Sequence, residues 1–110
     1  MVKYVGNAFS PAMINDNEGK ITLTIDTITK NQFMKACTKA KSIIGHPELS
    51  ELFNVKLNRE SVTLKKGDIL YVVSPKRRYK EGEIVKYGDI YEKLSVDKDF
   101  VYRQIQVLDK

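Results

Sequence analysis

His46 is the chain's one histidine, and Pro47 follows it directly. A residue before proline is pushed to extended angles, and proline suits the first position of a helix, so the pair sets His46 at the cap of a short helix. Backbone N–H groups and the positive end of the helix dipole make such a cap an anion site. A phosphate bound there favours the imidazolium form, which is what a general acid needs. The same position equally suits a histidine that only caps its helix. The other two of the chain's three prolines also follow side chains that hydrogen-bond, in Ser10-Pro11 and Ser74-Pro75.

Beyond Ser74 comes the basic stretch Lys76-Arg77-Arg78-Tyr79-Lys80, followed by Glu81-Gly82. A guanidinium fork binds phosphate in bidentate fashion and can stabilise charge developing on a cleaving phosphodiester. Arg77 and Arg78 are therefore candidates for phosphate contact, and Glu81 for holding one of them. Arg59 is a further candidate. Each also has a plain reading as a solvated surface charge. Other chemistries are excluded by what is missing. No G-x-x-x-x-G-K or G-x-G-x-x-G string occurs, and no cluster of carboxylates indicates a two-metal nuclease. One histidine and one cysteine exclude a Cys/His zinc site and an internal disulfide, and Cys37 falls on an apolar stripe where a buried structural role is expected.

These residues need elements to position them. Val2 to Val5 reads as a first strand that runs into the turn-forming stretch Gly6-Asn7-Ala8-Phe9-Ser10-Pro11. After a polar loop from Asn15 to Gly19, the alternation of Ile21, Leu23 and Ile25 predicts a half-buried strand over Lys20 to Ile25. Thr29 and Gln32 have the spacing of a capping box, and Phe33, Ala36, Cys37, Ala40 and Ile44 recur at three and four residues. That predicts a helix of about four turns, ending near Gly45 in the left-handed position past its terminus. Pro47 then opens a short helix with Leu49, Leu52 and Phe53 on its apolar side. Ser61 to Lys65 and Ile69 to Val73 read as a hairpin about Lys66-Gly67-Asp68, the second strand central in the sheet. A helix around Tyr87 to Leu94 and a closing strand from Phe100 to Val107 complete the pattern. The expected fold is a single α/β domain spanning 1–110, a mixed sheet with helices packed against it.

The chain has 110 residues, 42% hydrophobic and 30% charged, an ordinary globular mixture with enough bulk for one core. Its 19 basic and 14 acidic residues give a net charge of +5, which weakly favours an anionic partner. No run approaches the roughly 18–20 apolar residues of a membrane span, and the N-terminus lacks the pattern of a signal peptide, so a cytosolic protein is expected.

Several strings taken in order are familiar: Asn7-Ala8-Phe9-Ser10, Ile44-Gly45-His46, Asn58-Arg59, and Tyr71-Val72-Val73 followed by Arg78 and Glu81-Gly82. Together they resemble the viral anti-CRISPR ring nucleases. The resemblance implies a homodimeric enzyme, acting in the cytoplasm of an infected host cell, that cleaves cyclic tetra-adenylate to linear di-adenylates ending in 2′,3′-cyclic phosphates. It implies no metal, no cofactor and no long nucleic acid as partner. By the same matching His46 would protonate the leaving 5′-oxygen and Arg78 would bind and polarise the scissile phosphate. Glu81 would hold Arg78, and Asn7, Ser10 and Arg59 would line the ligand site. Apart from that matching, Arg77 by its guanidinium and Ser74 by its place before the basic stretch are expected as further ligand contacts. The chain departs from the family pattern at Ala12, Pro47-Glu48 and Ser74. A reading from another class is a non-catalytic module that sequesters a cyclic oligonucleotide or a short single-stranded RNA.

Overall fold

The computed structural model describes residues 2–14, 21–75 and 100–108. Strand β1 (Lys3–Gly6) leads to a 3-10 turn at Pro11–Ile14, and β2 (Leu23–Ile28) to helix α1 (Lys30–Cys37). Then follow β3 (Lys41–Ser42), helix α2 (Pro47–Leu52), β4 (Ile69–Pro75) and β5 (Phe100–Val107). They form one mixed sheet in the order β2-β5-β4-β1-β3. Strand β1 runs parallel to both β3 and β4, whereas β5 runs antiparallel to β4 and β2. The expected α/β class with a mixed sheet is thus present.

Alternation along the strands divides two cores between the faces of the sheet. On one face Val5, Val73, Phe100 and Tyr102 pack with Phe33 of α1, Leu49 of α2, Ile44 and Phe53. Phe33 and Phe53 meet edge to face at 5.3 Å, and Phe33 lies 5.1 Å from Tyr102, so aromatic contacts join both helices to β5. On the other face Leu70, Val72, Ile105 and Val107 pack with Ile43 and Leu64. Strand β4 is covered on both faces and paired on both edges, as its continuously apolar sequence requires.

Three expectations are corrected. The capping box is formed as read: the Thr29 hydroxyl accepts from Gln32 N–H, and the Gln32 carboxamide oxygen accepts from Thr29 N–H. Helix α1 nevertheless spans only 8 residues and stops at Cys37, far short of Gly45. Neighbouring Ile43 and Ile44 are buried in opposite cores, which an extended chain achieves and a helix cannot. Ile43 N–H donates to the Val5 carbonyl at 2.7 Å, continuing the tie to β1. Second, Ser61 to Lys65 is no hairpin arm, because both edges of β4 are already taken by β1 and β5. Leu64 of that segment is still fully buried. The turn itself forms, with Gly67 at φ 89 and the buried Asp68 carboxylate accepting from the N–H groups of Val2 and Lys65. Third, β2 lies three residues later than expected at its C-terminal end, and Ile25 is 58% exposed because β2 is an edge strand. The loop from Asn15 to Gly19 and the helix around Tyr87 to Leu94 lie outside the described residues.

Candidate functional site

Because β1, β3 and β4 are parallel, their carboxyl ends reach one edge of the sheet. Ligand sites of α/β sheets favour that edge. Each of the three X-Pro pairs follows or closes one of these strands. Ser10-Pro11 comes after β1, His46-Pro47 comes after β3, and Ser74-Pro75 ends β4. The β1–β4 pairing finishes at Gly6 opposite Val72, so Ser74 stands past the end of β1, beside the segment that begins at Asn7.

His46 occupies the N-cap of α2 with extended angles (φ −103, ψ 115) and Pro47 at the first helical turn, as the sequence implies. The ring itself makes no capping bond to the helix. Its Nδ1 is buried, although the residue as a whole is half-exposed. Helix α2 is only six residues long, so its dipole is small and charge recognition falls mainly to side chains.

What fixes His46 is the peptide before it. Asn7 Oδ1 accepts from Gly45 N–H at 3.1 Å, and Arg59 Nε donates to the Gly45 carbonyl at 2.9 Å. Gly45 does not take the left-handed conformation expected of it, since Gly67 is the one glycine with positive φ among the described residues. Its lack of a side chain serves close approach instead: a Cβ there would lie 3.2 Å from Arg59 Cγ. Arg59, expected to touch phosphate, is thereby seated at the site through the backbone that carries His46.

The residues flanking Arg59 fasten the same segment. Asn58 N–H donates to the Ile44 carbonyl at 3.0 Å and its Nδ2 donates to the Ser42 carbonyl at 3.0 Å. Ser42 Oγ donates to the Lys56 carbonyl at 2.6 Å. Glu60 pairs with Lys41 at 3.1 Å, and the hydrogen bonds from Lys41 and Asn58 hold its carboxyl below its ordinary value. Sequence reasoning gave Asn58 and Ser42 no such part. The local half of the signal was present, since Asn58 Oδ1 accepts from Glu60 N–H two residues on, as asparagine does in turns. The half that reaches β3 depends on tertiary contact.

Asn7 and Ser10 also line a cavity of about 410 Å3, together with Glu60, Ser61 and Thr63 as polar members and Ile43, Val62 and Met13 as apolar ones. Ser10 Oγ accepts from Ala12 N–H at 3.3 Å, which caps the 3-10 turn and leaves its O–H as a donor. Asn7, Arg59 and His46 are thus joined directly through Gly45, with Ser10 and Ser74 at the same edge. Arg77, Arg78 and Glu81 lie outside the described residues. Cys37 stays away from this chemistry: it packs against the core beside Phe33, and burial pushes its thiol up to about 11. Among the described residues no group of three or more His, Cys, Asp or Glu is placed to share a metal ion, and no helix is long and apolar enough to cross a membrane.

Fold and site together define a small α/β protein with a polar site at the carboxyl edge of its parallel strands. A family model described as STIV B116-like matches residues 3–100, and the chain belongs to this viral protein family. Among solved structures, B116 of Sulfolobus turreted icosahedral virus is similar with a TM-score of 0.71 and 21% sequence identity, over 96% of this chain and 99% of that one. At that identity the likeness is one of fold. No curated protein matches the chain.

Proposed function

We propose that the chain is a metal-independent ring nuclease that cleaves cyclic tetra-adenylate and so suppresses type III CRISPR immunity. The observation that carries this reading is the clamp on Gly45, which joins Asn7 and Arg59 to the residue before His46 at the edge where the parallel strands end. The resemblance of the sequence to viral anti-CRISPR ring nucleases supplies the substrate, and membership of a viral family agrees with it.

In the proposed reaction a ribose 2′-oxygen attacks its own adjacent phosphorus, and the bond from phosphorus to the 5′-oxygen breaks. The attacking hydroxyl loses a proton to solvent, while His46 as imidazolium gives one to the departing oxygen. A 2′,3′-cyclic phosphate and a 5′-hydroxyl result. The substrate provides the nucleophile, so the protein's tasks are to orient the hydroxyl in line, bind the phosphate and donate the proton. Arg78, held by Glu81, polarises the phosphate in this scheme, with Arg77, Ser10 and Ser74 as further ligand contacts. A two-fold homodimer would present one His46 to each of two opposite phosphates of the ring and release two di-adenylates.

Incubation with cyclic tetra-adenylate in a chelator provides the test. The wild type should yield di-adenylate, and His46→Ala should bind the ring but leave it uncut, because a general acid acts in the transition state. An intact ring after long incubation with excess wild-type protein refutes the enzyme and leaves a sequestering module.

A further inference from the structure

A second cavity, of about 360 Å3, opens at the other end of β1. Lys3 begins β1 and Asn7 follows its last residue, so the two sites lie roughly 13 Å apart along the strand at about 3.3 Å per residue. Lys3, Lys35 and Lys39 line this second cavity with Gln32, Tyr71 and Gln104, over a floor that includes two alanines. Tyr71 and Gln104 are register partners on neighbouring β4 and β5, and Tyr71 is also paired with Val5 of β1. The wall they form is therefore rigid sheet.

The charge and donor pattern is one-sided. Among the described residues no aspartate or glutamate lines the cavity. Gln32 has its carboxamide oxygen committed to Thr29 N–H in the capping box at 2.8 Å, so what it offers to a ligand is its NH2 group. Three lysines and an amide donor lining one concavity suit a ligand of negative charge, and lysine serves phosphate as a point charge. Half-buried Tyr71 supplies a ring face, and Gln104 an amide that both donates and accepts. The volume lies within the range of about 300–1,000 Å3 usual for small-molecule sites, and the lysines ring one hollow instead of tracking a long stripe.

We propose that this cleft binds a phosphorylated small molecule of nucleotide size, with its phosphate among Lys3, Lys35 and Lys39 and its planar group against Tyr71. The inference does not rest on the ring-nuclease reading. Calorimetric titration of the full chain with ATP, AMP, adenosine and a 20-base-pair DNA duplex tests it. ATP and AMP should bind, more weakly as salt rises, and adenosine should bind at least tenfold more weakly. Lys35→Gln/Lys39→Gln should lose at least tenfold in affinity for ATP, Lys35→Arg/Lys39→Arg should keep it, and His46→Ala should leave it unchanged. Adenosine binding as tightly as AMP, or unchanged ATP affinity in the glutamine variant, overturns the proposal. So does duplex DNA binding more tightly than ATP through the same lysines, which would make them part of a polyanion surface.

Discussion

Asn7→Ala removes the acceptor of a half-buried backbone donor without disturbing either core. The Gly45 N–H, 3.1 Å from Asn7 Oδ1, would lose its partner. An orphaned buried donor costs about 1–3 kcal/mol, and partial access of water at this site puts the expected loss at about 1–2 kcal/mol. For a domain of this size that is a fall in Tm of roughly 4–12 °C. Amide exchange at Gly45 should accelerate by a similar free energy, while exchange at Leu70 in the central strand should change only with global stability. The functional cost should be larger than the thermodynamic one, because a shift of about 1 Å in a positioned group can cost about 10²-fold in rate. Single-turnover cleavage of cyclic tetra-adenylate should fall accordingly. Asn7→Asp keeps the oxygen acceptor and should recover the melting temperature, but its negative charge should weaken binding of the ring. A wild-type urea midpoint together with an unchanged Gly45 amide in Asn7→Ala would refute the clamp.

Arg59→Ala should lower kcat for ring cleavage more than it raises KM, since Arg59 Nε holds the Gly45 carbonyl. A pure rise in KM with a salt dependence reduced by one phosphate contact would make it a ligand contact alone. Phe33→Ala should destabilise by about 3–5 kcal/mol in urea unfolding, because the ring is fully buried and touches both Phe53 and Tyr102; a loss below about 1 kcal/mol would contradict that packing. Cys37, with its thiol pushed up to about 11 by burial, should react with iodoacetamide far more slowly than glutathione at pH 8. A raised folded-state value also means stability declines as pH climbs from about 9 towards 11, the thiolate being favoured in the unfolded chain. Absence of that decline relative to Cys37→Ala would remove the desolvation argument.

Where one residue or its near neighbours determine the outcome, the sequence by itself was enough. The Thr29–Gln32 box opens α1, Pro47 opens α2 and sets His46 at its cap, and the apolar run from Ile69 forms the central strand. The closing strand lies at Phe100–Val107 as expected. Tertiary structure alone decided that Lys41 and Ser42 leave the helical pattern to pair with Tyr4 and Val5. Ala36, Cys37, Ala40 and Ile44 fit a helical stripe equally well; only two cores on opposite sides of a sheet make the extended path through Ile43 and Ile44 the better burial. The site follows the same division. The sequence marked His46, Asn7 and Arg59 as chemistry-bearing residues, but their meeting at Gly45 requires parallel strands far apart in the chain, and no local spacing encodes a hydrogen bond across 38 residues.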